Sequence, residues 1–125
     1  MEESKKSVLD SENPICYNNR TFIVQDNTEN GEVDNQTVFS YYQNDNIVWA
    51  DYSGGEVVKG TLIGTVLEGG ELDFYYQHIN NKHQVRVGKC HSIPIILANG
   101  KIELHEEWQW LNGDQSKGTS LLIER

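Results

Sequence analysis

Pairs and triplets of Gly, Asn and Asp interrupt this chain too often for a helix of useful length to fit between them. They fall at Asn44-Asp45-Asn46, Gly54-Gly55, Glu68-Gly69-Gly70, Asn80-Asn81, Asn99-Gly100 and Asn112-Gly113-Asp114, residue types that accept the positive φ of tight hairpins. The intervals between them are rich in Val, Ile, Thr, Tyr and Trp. They read as eight strands over about residues 20–25, 37–43, 47–53, 57–67, 71–79, 84–97, 102–111 and 117–124. Loops this short join antiparallel neighbours, so the expected fold is all-β, an eight-stranded antiparallel up-and-down meander. Closing the meander into a small β-barrel hides its two edges; an open sheet or a two-sheet sandwich is the alternative. Pro94 lies inside the sixth run and lacks a donor for the ladder, so a bulge or bend is expected there.

Residues 1–19 hold one short apolar pair, Val8-Leu9, and a turn-prone Asn13-Pro14, and are expected to form a flexible acidic N-terminal tail ahead of a single domain over 20–125. The net charge of −9 on 125 residues, without any cluster of Lys and Arg, argues against a nucleic-acid partner, because that affinity comes from displacing phosphate counterions. No run approaches the ~20 apolar residues of a membrane-spanning helix, and Met1-Glu2-Glu3-Ser4-Lys5-Lys6 lacks an apolar secretion segment. The expectation is a cytoplasmic protein with no membrane partner, either monomer or homodimer. Cys16 and Cys90 are too few for a disulfide framework and read as free thiols.

Alternation decides which side chains face inward. Ile102, Leu104, Glu106, Trp108 and Trp110 share one face of the seventh run, which must be the core face. Glu106 is then a carboxyl on an apolar surface, and needs either a partner or a raised pKa. The same rule groups Leu72, Phe74, Tyr76 and His78, while Gly60, Leu62, Gly64 and Val66 put glycines where a sheet coils tightly or leaves room for large rings opposite. The same alternation groups Phe39, Tyr41 and Gln43; Ala50 and Tyr52; Gly88, Cys90 and Ser92; and Gly118, Ser120 and Leu122. The interior so assembled holds Tyr41, Gln43, Tyr52, Tyr76, His78, Cys90, Ser92, Glu106, Trp108, Trp110 and Ser120. Aromatic walls with a few hydrogen-bonding tips suit a small-molecule pocket. They suit a filled aromatic core equally.

Other chemistries fit less well. Asp26 to Asp34 resembles the start of a calcium-binding loop, but Thr37 stands where the bidentate Glu belongs, which leaves an acidic hairpin loop. His78, His83, His91 and His105 lack metal-ligand spacing, with His91 and His105 outward and His83 in a turn, so no metal and no cofactor is expected. Glu106 and His78 are the candidates for a catalytic acid-base pair, against a reading in which they merely fix strand register.

The segments Val48-Trp49-Ala50-Asp51-Tyr52-Ser53-Gly54-Gly55-Glu56, Leu72-Asp73-Phe74-Tyr75-Tyr76-Gln77-His78, Gly88-Lys89-Cys90-His91-Ser92 and Leu104-His105-Glu106-Glu107-Trp108-Gln109-Trp110, with Asn112-Gly113-Asp114 and Ser116-Lys117-Gly118, resemble a family of small uncharacterised bacterial proteins, some labelled N-acetylglutamate synthase. The resemblance covers about Arg20 to Glu124 and implies a lipocalin-like or avidin-like barrel. It brings no established active site. The Gly-rich turn capping a helix that such a synthase uses to bind acetyl-coenzyme A is not visible. The reading reached is a barrel binding a small, partly apolar ligand, neutral or cationic, against Tyr52, Tyr76, Trp108 and Trp110, with Glu106 and His78 as polar anchors. Alternatives are an acid-base enzyme and a protein-protein interaction module using outward Trp49 and Tyr75.

Overall fold

In the computed structural model, which describes residues 15–125, the turn residues act where the sequence puts them. Eight strands follow: β1 (Arg20–Asn27), β2 (Val38–Asn44), β3 (Ile47–Gly54), β4 (Val57–Val66), β5 (Leu72–Asn80), β6 (Val85–Ile96), β7 (Ile102–Trp110) and β8 (Lys117–Glu124). Asp45 and His83 take φ of 54° and 62° in their hairpins. At Gly54 φ is 117°, and a Cβ there would collide with the Gln36 carbonyl, so this turn demands glycine.

Each strand pairs antiparallel with the next, and β1 pairs with β8 to close the barrel. The seam runs from Phe22 opposite Glu124 to Asn27 opposite Ser120, with a bulge between Val24 and Asp26. Arg20 Nη1 holds a Glu124 carboxylate oxygen at 2.9 Å, and the Arg125 amide donates to the Thr21 carbonyl. Alternation sends Phe22, Val24, Tyr41, Val48, Leu72, Leu104 and Leu122 into the core.

Two expectations are corrected. The core begins ahead of Arg20. Ile15 and Tyr17 are buried, and the Tyr17 hydroxyl donates to the Gly70 carbonyl at 2.5 Å, so this segment plugs the barrel end opposite Asn27, Gly54, Asn80 and Trp110. The rest of the expected tail, residues 1–14, lies outside the described residues. Nor is there a bulge at Pro94: β6 and β7 stay in register through Pro94 and Leu104, while β5 stops pairing with β6 at Leu72 and Ser92. Beyond Ser92 one side of β6 faces no strand among the described residues, an edge position where a residue without an N–H is tolerated.

The inward glycines receive large rings. Tyr52 lies opposite Gly60, Tyr76 opposite Gly88 and Trp108 opposite Gly118, each ring covering the space a Cβ would take. Gly64 differs, because a Cβ there would meet the β5 backbone at Asp73 and Phe74, which cannot swing aside. Gly64→Ala is therefore expected to cost about 3 kcal/mol, read as a lower urea midpoint at unchanged slope. On the outside Tyr42, Trp49, Ile63 and Tyr75 align across β2 to β5, with Trp49 37% and Tyr75 62% exposed.

A candidate binding cup at the open end of the barrel

The rings that cover glycines also line a cup above the core. Its walls are Phe39, Tyr52, Leu62, Phe74, Tyr76, Cys90, Trp108 and Trp110. Counted outward into solvent at the mouth the space is ≈ 430 Å³, within which the centre of a water-sized sphere has ≈ 50 Å³ to move. The first figure takes in open solvent at the mouth, and the second is well below the roughly 300–1,000 Å³ of small-molecule pockets. The second says that the free space is narrow, so a guest must be slim or must displace side chains.

Register creates the polar end of the cup. Ser92 on β6, Glu106 on β7 and Ser120 on β8 are direct cross-strand partners and all point inward. The Ser92 hydroxyl donates to Glu106 Oε2 at 2.7 Å and the Ser120 hydroxyl to Oε1 at 3.0 Å. Glu106 is 8% exposed, and burial pushes its pKa up to about 7 although the two hydroxyls pull it down. A carboxylate offers about four lone-pair sites, and among the described residues these two serines are the only hydrogen-bond donors to it.

The mouth is crossed by the loop between β1 and β2, residues 28–37. Trp110 Nε1 donates to the Asn30 carbonyl at 2.9 Å, and Trp108 Nε1 to Asn27 Oδ1 at 3.3 Å. Glu32 reaches from this loop toward β5 and β6, where His78 Nε2 lies at 2.8 Å and Arg86 Nη1 at 2.5 Å, with Asn80 Nδ2 alongside. Burial raises the Glu32 pKa, but hydrogen bonds from His78 and Asn80 and the Arg86 charge outweigh it and hold the carboxyl below its ordinary value. Burial lowers that of His78 despite Glu32. The contact is thus a hydrogen bond from a neutral imidazole, and Arg86 is the ionic partner. The remaining ring nitrogen, Nδ1, accepts from the Tyr52 hydroxyl at 2.9 Å. Arg86 also lies over the Trp110 ring, 3.9 Å from its centre.

Of the residues expected inside, Tyr52, Tyr76, His78, Cys90, Glu106, Trp108, Trp110 and Ser120 line the cup. Three do not. Tyr41 is fully buried in the core, its hydroxyl without a hydrogen-bond partner among the described residues. Ser92 is covered beneath Glu106, and Gln43 turns to the plug segment, where its Oε1 accepts the Tyr17 amide at 2.8 Å. Glu106 and His78 share the cup without a hydrogen bond between them, each held by other partners. Phe39, Leu62 and Phe74 were readable as wall residues from the same alternation. Asn27, Gly31, Glu32 and Val33 were not, since a loop has no periodicity to mark its inward residues.

A family profile described as avidin-like protein matches residues 15–125. No curated protein and no solved structure matches the chain.

Proposed function

The chain belongs to the avidin-like protein family, and from that premise we propose that it is a binding protein whose cup holds one small, partly apolar molecule. The observation that carries this reading is Glu106, the single buried carboxyl among the described residues, at the base of an aromatic cup whose rim is tied down by a loop. Apolar walls supply affinity in proportion to the area they cover, and the few polar atoms orient the guest. His78 has both ring nitrogens engaged, which favours binding over proton transfer.

Thermal unfolding and Trp emission, followed across a panel of small neutral and charged aromatic and aliphatic compounds, test the reading. A true guest is expected to change the emission saturably and to raise the melting temperature, since about 2.7 kcal/mol of stabilisation accompanies ligand at a hundred times its Kd. Leu62→Trp, which fills the cup from the β4 wall, is expected to abolish both responses. Responses that survive Leu62→Trp, or a panel without any response, would overturn the reading. A second reading, an interaction surface, is favoured by the outward row of Tyr42, Trp49, Ile63 and Tyr75. It requires a mass above that of one chain in sedimentation, reduced by Tyr75→Lys.

A further inference from the structure

Resting on the binding reading, the geometry points to a narrower class of guest: a small molecule carrying a cationic nitrogen head, an ammonium or amidinium group, that seats on Glu106 with an apolar body against the rings. Among the described residues the lining of the cup includes two carboxylates, Glu32 and Glu106, and neither Lys nor Arg. These two are not equivalent. Glu32 at the rim is already neutralised by Arg86, whereas Glu106 at the base has no cationic partner among the described residues.

Each oxygen of Glu106 accepts one hydroxyl, which leaves lone pairs that only a donor brought from outside can use. A guest with N–H donors satisfies them, and a positive one also restores the charge that burial opposes. Rings next to this position add to the preference. Trp108 lies opposite Cys90, one inward step along β7 from Glu106, and its ring centre is 5.5 Å from that of Trp110. Aromatic faces attract cations held within about 6 Å. An anionic head of the same shape would meet the Glu106 carboxylate, which no cation among the described residues offsets.

Three probes of one size and different charge separate the possibilities: benzylammonium, benzyl alcohol and benzoate, each titrated at pH 8 with Trp emission and melting temperature as readouts. Benzylammonium is expected to bind at least tenfold more tightly than benzyl alcohol, with benzoate inert. Glu106→Gln keeps the shape of the base and is expected to bring benzylammonium down to the level of benzyl alcohol, whereas Glu29→Gln, on the outer part of the loop, leaves the preference intact. Equal or stronger binding of the alcohol or benzoate would overturn the cation assignment and leave the cup reading standing. Cation binding undiminished in Glu106→Gln would overturn it in favour of attraction to the acidic surface. Absence of a response to all three would overturn the cation assignment, and the wider panel with Leu62→Trp would then decide the cup reading.

Discussion

Replacing Glu106 by Gln is expected to make the folded protein more stable at pH 8, by about 2 to 3 kcal/mol. The carboxyl is buried, receives only two neutral hydroxyls, and has its pKa raised from 4.5 to about 7. Between those values the folded state holds a proton that the unfolded chain has already released. Raising the pH therefore favours unfolding, by about 1.4 kcal/mol per unit at most, until the group ionises in the folded state as well. Its contribution is fully present below pH 4.5 and gone above pH 7, a difference of about 3 kcal/mol. Gln never ionises, and its amide can accept from one serine and donate to the other. Urea unfolding of parent and variant at half-unit steps from pH 4.5 to 8 isolates this group, because the difference cancels the titrations of His78, His91 and Glu32. Parallel curves for the two proteins would show that Glu106 ionises without penalty.

Trp110→Ala is the substitution expected to do most damage, about 3 to 5 kcal/mol. The ring is 3% exposed and packs edge-on against Tyr76, His78 and Trp108 at 5.7, 5.8 and 5.5 Å between ring centres. It also carries the Arg86 guanidinium and donates to the carbonyl of Asn30. Its loss opens a cavity, removes the platform that aims Arg86 at Glu32, and frees one attachment of the loop over the mouth. Trp110→Phe keeps the ring face but not the N–H and is expected to cost about 1 to 2 kcal/mol. Amide exchange in residues 28–37 is expected to accelerate in both variants. A cost below 1 kcal/mol for Trp110→Ala would mean that the loop and Arg86 hold their places without the indole.

Strand positions and inward faces were legible because alternation and turn chemistry act over a few residues. Glu106 could be picked out as a buried carboxyl from Ile102, Leu104, Trp108 and Trp110 alone. Its partners Ser92 and Ser120 were assigned to the same interior, but the bonds among them come from register, which no single strand contains. Glu32 was unreadable for a different reason. In sequence it belongs to an acidic stretch that looks solvated, and only the fold of the loop carries it to Arg86 and His78. Tyr17 escaped because an isolated aromatic beside Asn18 and Asn19 carries no periodic signal, although it seals one end of the barrel. Pro94 misled because its neighbour on one side had to be known before the missing N–H had a meaning.

The seam between β1 and β8 has a consequence in time. Arg20 and Glu124 are 104 positions apart, and their strands meet only when the intervening hairpins are already in order. Long separations of this kind slow the search for the native state, placing such chains in the range of milliseconds to seconds. Until that meeting, β1 and β8 are bare edges able to pair with another molecule. The acidic surface that repels like molecules is then an asset to the unfinished chain, protecting it during the interval before it closes on itself.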